Sequence, residues 1–536
     1  MAPIDCLLIG HNELSIAKNK RMLLYLYGQG SHEYRDRIKY NLSQLVLGDH
    51  RYSPSELFNL VRKAEGAPAG QDLSIITESF NLAVAYLASA LHRRGLSFEF
   101  VNAYQEEKER LRRLLEENEV RSVAIITTYY LSHYPIHDIV TFVRKHNPEA
   151  KIVVGGPYVL NRLSGEAVDE PTQKLLELIG ADLYVRDSFG EDLLADLVAR
   201  IRDGADVSDL PNLYHRRDGA FRFSRQEVKA FDFRKTQVEW DLFQGRLSRV
   251  MNLRTAVSCP YRCAFCNYPL YAGKYTLSPI EVCERELRNL QGQGVTHVQF
   301  VDDTFNVPRE RFKELLRMMI RNGFGFRWSS YFKCQYVDRE TVRLMKESGC
   351  EFVFLGIESG SDEILGNMNK DTSTDVYRRC IELFHEFDIM TMCSVVVGFP
   401  GETRDTFEQT RRFIDETRPT FFQQRLWWYD RTAPVHRQKD RFQLTGEGYA
   451  WRHATMESKE AHDLADRLFL EVEGAVHITE YALPFFLMER GVTRKNTVAF
   501  LRDYMQSNRD QYLHPGAPAD PARVGHMLQA LSREAP

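Results

Sequence analysis

The stretch Ser258-Cys-Pro-Tyr-Arg-Cys-Ala-Phe-Cys-Asn267 places three cysteines, Cys259, Cys263 and Cys266, on one short loop. A structural zinc site closes with four protein ligands, and an ordinary [4Fe–4S] cluster takes four cysteines. Three thiolates leave one metal position open, and an open iron is a place where a substrate or cosubstrate can bind. The stretch therefore predicts an iron–sulfur cluster with one free corner, and it disfavours a closed zinc site or a purely structural loop.

The remaining cysteines of the nine in the chain do not indicate a disulfide framework or a second cluster. They are scattered singly, mostly in apolar surroundings, where cysteine behaves as a small buried hydrophobe. Because none follows Cys393, we expect no auxiliary cluster in the C-terminal region. These cysteines are Cys6, Cys283, Cys334, Cys350, Cys380 and Cys393.

Composition bounds the class of protein. The chain has 536 residues, 43% of them hydrophobic, which suffices for two or three domains with substantial cores. The formal net charge is −4 and no basic block stands out, so we expect no nucleic-acid partner. The N-terminus lacks a basic region before a long apolar core, and no apolar stretch reaches roughly eighteen residues. We therefore expect no membrane association and a cytoplasmic location.

The segment around the cysteines alternates β-rich runs with amphipathic stretches, a pattern typical of parallel strands covered by helices. Six such units predict an open, partial (β/α)6 barrel. Chemistry in parallel barrels lies at the C-terminal ends of the strands, and the cysteine loop begins where the first strand stops. The predicted strands are Leu253–Val257, Val295–Asp302, Phe326–Phe332, Phe352–Glu358, Met390–Val397 and Phe421–Trp428.

Polar motifs follow three later strands at the same edge of the barrel. Asp302 and Asp303 follow the second strand, where carboxylates suit an ammonium ion, although Asp303 equally fits a helix N-cap. Glu358 and Ser359 end the fourth strand, and a buried glutamate there requires a partner. The turn Gly398-Phe-Pro400-Gly-Glu-Thr403 follows the fifth strand, and its glycines permit close backbone approach.

The N-terminal half also alternates strands and helices, which predicts a doubly wound, Rossmann-like parallel sheet with its ligand crevice beyond the strand ends. Three loops fall at that edge: 127–132, 155–157 and 187–191. The predicted strands are Phe98–Val101, Val120–Tyr130, Lys151–Val154 and Asp182–Arg186, and the predicted helices are Ala83–Arg94, Ile136–His146 and Thr172–Ile179.

The spacing C-x3-C-x2-C, with Phe265 before the last cysteine, resembles the signature of the radical S-adenosylmethionine (SAM) superfamily. The resemblance implies that Cys259, Cys263 and Cys266 bind a [4Fe–4S] cluster and that SAM chelates the fourth iron. It further implies SAM contacts from the residues that match the family's other motifs. These are Phe265 and the turn with Gly398 and Pro400 at the adenine, Asp302 and Asp303 at the amino group, and Glu358 with Ser359 at the ribose.

The N-terminal half, placed upstream of such a barrel, resembles the cobalamin-binding domain of B12-dependent radical SAM enzymes. The D-x-H-x-x-G box of other B12 proteins is absent, and His133 and His137 do not fit it, so we expect no histidine on cobalt. A bare Rossmann-like module for a nucleotide, or a scaffold, is the alternative, although no G-x-G-x-x-G follows a strand. The resemblance implies cobalamin contacts from Thr127, Gly155, Gly156, Pro157, Gly190 and Glu191, with the lower face covered by Tyr129, Tyr130 or Leu131.

The chain then divides into a cobalamin-binding domain (1–225), a linker (226–250), a radical SAM barrel (251–430) and a mostly helical C-terminal region (431–536). A hairpin is expected near the linker, between 211 and 247. Helices are predicted at Lys459–Val476, Arg494–Gln506 and Val524–Arg533. The C-terminal segments 451–456 and 482–488 resemble a natural-product subgroup that includes phosphinothricin P-methyltransferase. Substrate contacts are predicted for side chains at the open side of the barrel: Arg425, Trp427, Tyr429 and Arg431.

The resemblance implies a cobalamin-dependent radical SAM methyltransferase acting on an unactivated carbon or phosphorus centre of a secondary metabolite, through a 5′-deoxyadenosyl radical and methylcobalamin. Its expected partners are a small-molecule or carrier-tethered biosynthetic intermediate and an external electron donor such as flavodoxin or ferredoxin. The same cofactors also suit a rearrangement, ring contraction or cyclisation without methyl transfer. A non-catalytic scaffold with a vestigial loop is the third hypothesis, which the intact motifs disfavour.

Overall fold

A computed structural model describes residues 3–12, 21–25, 28, 31, 34, 44–66, 72–73, 79–128, 130, 132–163 and 168–532. The chain forms two compact units. The first contains residues 1–15, 79–248 and 270–293, and the second contains residues 16–78, 249–269 and 294–536. The second unit thus includes an N-terminal stretch that the predicted linear domains assigned to the first. Among the described residues, no helix is both long and apolar enough to cross a bilayer.

The first unit is built on a seven-stranded sheet. Five strands run parallel, and an antiparallel hairpin extends one edge. In chain order the strands are β1 Cys6–His11, β2 Phe98–Ala103, β3 Ser122–Ile126, β4 Lys151–Gly155, β5 Leu183–Val185, β6 Leu213–Arg217 and β7 Ala220–Phe223.

The strand order in this sheet is β2-β1-β3-β4-β5-β6-β7. The parallel part, 2-1-3-4-5, is the flavodoxin-like doubly wound order, whose ligand crevice lies beyond the strand ends where β1 and β3 diverge. Strand β1 is buried along its whole length. The sequence reasoning missed β1, because a short apolar run buried on both faces lacks the alternation that marks a strand.

Helices of the first unit pack in two groups, as covers on the two faces of a sheet do. Leu82–Arg93 packs with Glu191–Arg202, while Tyr134–His146 packs with both Lys108–Glu117 and Glu170–Ile179. The latter group encloses a hydrophobic core with Leu7, Ile9, Val123 and Val154. The other helices of this unit are Pro157–Arg162, Ile280–Gly292 and the short 3-10 helix Trp240–Phe243.

The second unit contains the other seven-stranded sheet, in which every neighbouring pair is parallel and the strands follow one another in chain order. Consecutive parallel strands joined by helices are the architecture of a (β/α) barrel. The strands are β8 Val250–Leu253, β9 His297–Phe300, β10 Arg327–Phe332, β11 Cys350–Glu358, β12 Met390–Val397, β13 Phe421–Leu426 and β14 Val476–His477.

Helices connect successive strands of this barrel, and polar side chains at their N-termini fix where they begin. Asp338 caps one helix through Thr341 N, and Thr403 caps another through Thr406 N. The connecting helices are Arg309–Arg321, Arg339–Glu347, Asp362–Asn367, Thr374–Glu386 and Arg404–Thr417, and the short helix Tyr268–Ala272 follows the cysteine loop.

The C-terminal region adds a three-stranded antiparallel sheet and more helices to the second unit. Strand β14 comes from this region and pairs with β13 through Val476 opposite Phe421. The helix predicted at Lys459–Val476 ends earlier, at Glu471, and Val476 lies in this strand instead. The small sheet contains Thr445–Glu447, Ala450–His453 and Met456–Glu457, and the helices are Lys439–Phe442, Ser458–Glu471, Leu483–Glu489, Arg494–Leu513 and Pro521–Leu531.

Short remaining elements complete the description. The hairpin Leu45–Leu47 with His50–Tyr52 precedes the helix Pro54–Ala64 in the second unit. In the first unit, Pro3–Ile4 forms a short parallel pair with Glu119–Val120. Two more short strands are Ala256–Val257 in the second unit and Thr276–Leu277 in the first. The α/β fold class, the doubly wound sheet, five of the six predicted barrel strands and the hairpin after residue 211 are confirmed, with small shifts at strand ends. The first barrel strand was predicted at Leu253–Val257 but is found at Val250–Leu253, so the two ranges share only Leu253.

Candidate functional site

The cysteine loop is fastened to the barrel at several points. Its entry residue Ser258 has a left-handed φ of 68°, an uncommon conformation for a residue with a side chain. Further along, Ala264 N donates to Met368 O at 2.8 Å, and Val435 N donates to Ala264 O at 2.8 Å. Asn369 Nδ2 adds a 2.7 Å bond to Arg262 O. Segments that follow β11 and β13 therefore hold the loop in place.

All three loop cysteines are free thiols, Cys263 buried and the other two partly buried. Burial raises the pKa of Cys259, and it raises the pKa of Cys266 to about 11, with a further contribution from the neighbouring thiols. A bound cation would stabilise the thiolate forms of these cysteines and so lower their pKa values.

Within the described residues, no three His, Cys, Asp or Glu side chains converge on a point suited to one metal ion. A four-iron cluster makes a different demand, because each thiolate binds its own iron.

Asp302 and Asp303 have different surroundings although they are adjacent. Asp302 is buried, and it accepts hydrogen bonds from Thr255 N at 2.6 Å, Thr255 Oγ1 at 2.6 Å and Ala256 N at 2.9 Å. Both of its oxygens thus hold the chain that leads into the cysteine loop. Asp303 remains solvent-accessible, and desolvation together with the charge of Asp302 raises its pKa to about 6. Asp303 is the better placed of the two for an external ammonium group.

Glu358 ends β11 at a β-bulge, with a left-handed φ of 64°. Its Oε1 pairs with Lys370 Nζ at 3.0 Å, and both side chains are largely buried. A Cβ on Gly356 would lie 2.6 Å from Glu358 Oε1, so a larger residue at position 356 would displace this carboxylate from its present place. A strained backbone that presents a buried, paired carboxylate at a strand end is typical of functional sites.

Ser359, predicted to share the ribose site, is fully buried. Its Oγ lies 3.2 Å from Thr410 Oγ1 and accepts a bond from Ser361 N at 3.2 Å. These contacts shape the turn after Glu358, so a direct cofactor contact from Ser359 stays a prediction that its placement does not support.

The turn with Gly398 and Pro400 is packed against the C-terminal region. Gly398 has a φ of 90°, and a Cβ there would meet the Trp451 ring at 2.5 Å. The buried Glu402 carboxyl accepts a hydrogen bond from Gly398 N, and burial raises its pKa to about 8. Pro400 is buried and its carbonyl accepts from Asn367 at 3.4 Å. This geometry explains the glycine by protein packing, and the adenine contact stays a prediction.

Phe265 is partly exposed and lies at one end of a row of aromatic side chains. Its ring is 6.4 Å from Phe399, and Phe399 is 5.5 Å from Trp427. Trp427 also contacts Tyr429 at 5.3 Å and Trp451 at 5.1 Å. Trp427 and Tyr429 are buried in this row, so they support the wall of the site, whereas Phe265 retains an accessible face.

The two arginines predicted to bind substrate differ in placement. Gln424 Nε2 donates to Ala465 O on the covering helix Ser458–Glu471, so its neighbour Arg425 points to the opposite, inner face of the barrel. Arg425 is exposed there and donates to Gln423 Oε1 at 3.1 Å. Arg431 instead bonds Gly446 O at 3.2 Å and pairs with Glu447 at 3.3 Å. These contacts assign Arg431 to the surface hairpin and leave its predicted substrate contact without support.

At the crevice edge of the first unit, Thr127, Gly155 and Gly156 form one hydrogen-bonded junction. Thr127 N and Oγ1 donate to Gly155 O at 3.0 and 2.8 Å, and Tyr158 N donates to Thr127 Oγ1 at 3.2 Å. Gly156 has a φ of 107°, and a Cβ there would lie 3.0 Å from Thr127 Oγ1. Pro157, at the start of its helix, is exposed. The junction brings the ends of β3 and β4 together at the predicted edge.

Of the residues predicted to cover the lower face of cobalamin, Tyr129 and Leu131 lie outside the described residues. Tyr130 is buried in the core, and its hydroxyl donates to Gly10 O at 3.3 Å. Gly190 precedes the helix that begins at the buried Glu191. Tyr130 thus supports the end of β1, and the predicted cobalamin contacts of Gly190 and Glu191 stay predictions.

Two lysines near the cysteine loop were missed by the sequence reasoning. Lys370 pairs with Glu358, and its Nζ is 5.5 Å from the centre of the Phe265 ring. Lys333 directly follows β10, and its Nζ lies 3.8 Å from the centre of the Tyr261 ring on the cysteine loop. The rule that chemistry gathers at strand C-termini, applied to β10, would have found Lys333. Lys370 follows a helix and gives no such signal.

The barrel and its loop match a known family: residues 253–414 match the Radical SAM superfamily, so this stretch carries a radical SAM domain. An uncharacterized methyltransferase of Pyrococcus horikoshii is 24% identical over 300 residues, covering 54% of this chain and 62% of the relative. The anaerobic magnesium-protoporphyrin IX monomethyl ester cyclase of Cereibacter sphaeroides is 24% identical over 360 residues, covering 63% and 56%. The chain thus spans under two thirds of these relatives' lengths.

Solved structures share the fold of a large part of the chain. The radical SAM methyltransferase TsrM from Kitasatospora setae, with cobalamin and a [4Fe–4S] cluster bound, has a TM-score of 0.54 at 20% identity, covering 66% of this chain and 70% of TsrM. The cobalamin-dependent radical SAM enzyme OxsB, with aqua-cobalamin and SAM bound, has a TM-score of 0.57 at 14% identity, covering 84% and 73%. At these identities the likeness concerns the fold.

Proposed function

We propose that the protein is a cobalamin-dependent radical SAM methyltransferase acting on an unactivated carbon or phosphorus centre of a secondary metabolite. The observation that carries the proposal is the pairing, in one chain, of a flavodoxin-like sheet with a barrel whose first strand leads into a three-cysteine loop. The matching superfamily and the methyltransferase relative support it.

The residues of the barrel edge fit a SAM-binding cluster. Cys259, Cys263 and Cys266 supply three thiolates and leave one iron for the cosubstrate. Asp303 offers an accessible carboxylate for the ammonium group, and Glu358 offers a buried one, held by Lys370, for hydroxyl groups. When bound, the cluster would supply the electron for SAM cleavage, and cobalamin would carry the methyl group.

The first unit fits cobalamin through its strand order, which opens a crevice beyond the ends of β1 and β3. The junction of Thr127, Gly155 and Gly156 fixes the loops beside that crevice. The His133 ring contacts the Tyr134 ring with ring centres 4.1 Å apart, and burial lowers the pKa of His133. We infer that cobalamin binds with its own base displaced and without a histidine on cobalt.

The test needs no known substrate. Anaerobically reconstituted protein is incubated with hydroxocobalamin, a low-potential reductant and SAM carrying a deuterated methyl group. We expect 5′-deoxyadenosine to form and the label to appear on cobalamin recovered from the protein. Single replacements of Cys259, Cys263 or Cys266 with Ala should remove 5′-deoxyadenosine formation. A wild-type protein that binds no iron–sulfur cluster, or that retains no cobalamin, would contradict the proposal.

The inner-face arginine suggests that the substrate carries an anionic group. Arg425 presents a guanidinium suited to bidentate binding of a carboxylate or phosphate-like group. A screen of small carboxylates and phosphinates for stimulation of 5′-deoxyadenosine formation tests this. We expect Arg425→Ala to lose the stimulation and Arg431→Ala, the surface control, to keep it. The substrate would be a biosynthetic intermediate, either free or tethered to a carrier protein. Flavodoxin or ferredoxin would be the external electron donor.

A second candidate function is a rearrangement, ring contraction or cyclisation without methyl transfer. It is favoured by the match to the protoporphyrin ester cyclase, which extends over more of this chain than the methyltransferase match does. The labelled SAM separates the two candidates. If product forms with 5′-deoxyadenosine but without deuterium, the second candidate replaces the first.

A further inference from the structure

The Nζ atom of Lys333 is buried and has no hydrogen-bond partner anywhere in the described part of the chain. Removing an ammonium ion from water without a partner carries a large free-energy penalty. Such a group persists in a fold only where something negative compensates it. The function described so far makes no use of this charge.

The backbone of Lys333 is held rigidly. Asn306, in the loop after β9, uses its whole side-chain amide for this purpose: Lys333 N donates to Asn306 Oδ1 at 2.9 Å, and Asn306 Nδ2 donates to Lys333 O at 2.7 Å. Asn306 is itself buried. The clamp fixes where the lysine side chain leaves the end of β10.

From that position the side chain reaches the cysteine loop. Lys333 Nζ lies 3.8 Å from the centre of the Tyr261 ring, and Tyr261 stands between Cys259 and Cys263. The electron-rich face of the ring attracts the ammonium but does not neutralise it. The contact directs the positive charge at the loop that holds the three thiols.

Of the two lysines near the cysteine loop, Lys333 is the one whose charge is not balanced by an ion pair among the described residues. Lys370, the other lysine in this region, is already paired with Glu358 at 3.0 Å. Burial and the proximity of Lys370 lower the pKa of Lys333, whereas Cys263, Cys259 and Glu358 act in the opposite direction. Additional negative charge on the cysteine loop would therefore favour the ammonium form.

We propose that the Lys333 ammonium is the counter-charge of the iron–sulfur cluster and raises its midpoint potential. The inference rests on the proposed function, because it presupposes a cluster on Cys259, Cys263 and Cys266. One-electron reduction adds a negative charge to a cluster, and a fixed cation nearby stabilises the reduced form relative to the oxidised one. Lys333 is thus a positioning residue for charge, within reach of the loop but not itself a metal ligand.

The test measures the cluster potential in the absence of SAM. Full-length Lys333→Met, Lys333→Arg and wild-type proteins are reconstituted, and reduction with dithionite is followed by electron paramagnetic resonance at poised potentials. At a fixed potential we expect the ratio of reduced to oxidised cluster to fall about tenfold in Lys333→Met, which is about 59 mV for a one-electron couple. Lys333→Arg keeps the charge and should stay close to wild type.

The matched control is Lys346→Met, a surface lysine of the same unit whose Nζ bonds Asp388 O at 2.8 Å. It should leave the potential unchanged. If the methionine variant does not retain its cluster, Lys333→Gln, which keeps a polar side chain without the charge, takes its place in the titration. Iron and sulfide analysis of each protein ensures that only loaded protein is compared.

Three results would overturn the inference. One is an unchanged potential in a fully loaded Lys333→Met or Lys333→Gln protein. Another is an equal shift in Lys333→Arg, where the charge is still present. The third is weaker SAM binding with an unchanged SAM-free potential, which would assign Lys333 to the cosubstrate's carboxylate. A wild-type protein without any cluster would instead contradict the proposed function, so the two failures are distinguishable.

Discussion

Lys370 and Glu358 form an ion pair of 3.0 Å inside the barrel unit, with 8% and 13% of their side chains exposed. The pair joins the end of β11 to a residue after the helix Asp362–Asn367, and Gly356 leaves room for the Glu358 carboxylate. Glu358 is therefore held in place before any ligand arrives, which is how a binding group keeps its geometry without reorganisation.

Lys370→Met should destabilise the barrel unit strongly, because it leaves the Glu358 carboxylate buried without its partner. The expected loss is about 3–5 kcal/mol, the usual cost of removing one member of a buried pair. The double variant Lys370→Met/Glu358→Gln should recover part of the loss. Denaturant unfolding measures both, and the partly exposed Lys346→Met control should change stability by no more than about 0.5 kcal/mol. Additive losses in the double variant would contradict this account.

Asp302→Asn and Asp303→Asn should have separable effects. Asp302 holds Thr255 and Ala256 through three hydrogen bonds, two to Oδ1 and one to Oδ2. The asparagine variant keeps one acceptor oxygen but loses the charge and the acceptor for Thr255 Oγ1, at a cost of about 1.5–3 kcal/mol. We expect lower iron content after reconstitution because the chain before the cysteine loop loosens. Asp303→Asn should retain iron and weaken SAM binding. Iron analysis and a SAM binding isotherm are measured for both variants. If Asp303→Asn lost iron and Asp302→Asn only weakened SAM binding, the two roles would be exchanged.

The sequence predicted most of the barrel because its strands alternate with helices and its cysteines mark one edge. Met390–Val397 was predicted to the residue. Strand β1 was missed because it is apolar on both faces. Strand β14 was missed because two residues are too few for a pattern, and its first residue, Val476, was assigned to the preceding helix. Both strands are specified by tertiary packing.

The site was predicted at the level of loops more reliably than at the level of side chains. The cysteines, Glu358 and Arg425 lie where strand ends and alternation placed them. Local sequence could not reveal that Ser359 and Trp427 would be buried, or that Arg431 would pair with a hairpin, because those contacts come from distant segments. The sequence did not indicate that Lys370 pairs with Glu358, for the same reason.

Gly398→Ala should destabilise the barrel unit through packing with the C-terminal region. A Cβ at Gly398 would lie 2.5 Å from the Trp451 ring and 2.7 Å from Ala461 Cβ, and the φ of 90° disfavours any side chain. Backbone strain of this kind costs roughly 1–3 kcal/mol before the clash is added. Thermal unfolding measures the loss. Gly366→Ala, in a helix with open space around it, is the control and should be neutral or slightly stabilising.

A large iron loss in Gly398→Ala without any loss of stability would contradict this packing role. It would indicate that the turn acts on the cofactor directly. The Trp451→Leu background tests the same point, because removing the ring should make Gly398→Ala less costly. Such coupling between contacting residues is expected to be of the order of 0.5–3 kcal/mol.

Glu402→Gln should flatten the dependence of stability on pH above neutrality. Burial raises the pKa of Glu402 from 4.5 to about 8, so the folded protein holds a proton that the unfolded chain has released. The stability from this group is fully present below about 4.5 and is lost as the pH rises through about 8. Across that window the loss is about 1.4 kcal/mol per pH unit.

Other buried groups define where this slope can be seen. Burial lowers the pKa of His453 to about 4, and such histidines add stability as the pH rises towards 6.5. Burial also raises the pKa of Glu286 and Glu480 to about 7, and they act in the same direction as Glu402. Between pH 7 and 8 the largest remaining slope is therefore expected from Glu402. Unfolding midpoints in this interval should fall in wild type and in Glu314→Gln, an exposed control, but stay level in Glu402→Gln. An unchanged slope in Glu402→Gln would show that its carboxyl is already ionised in the folded protein.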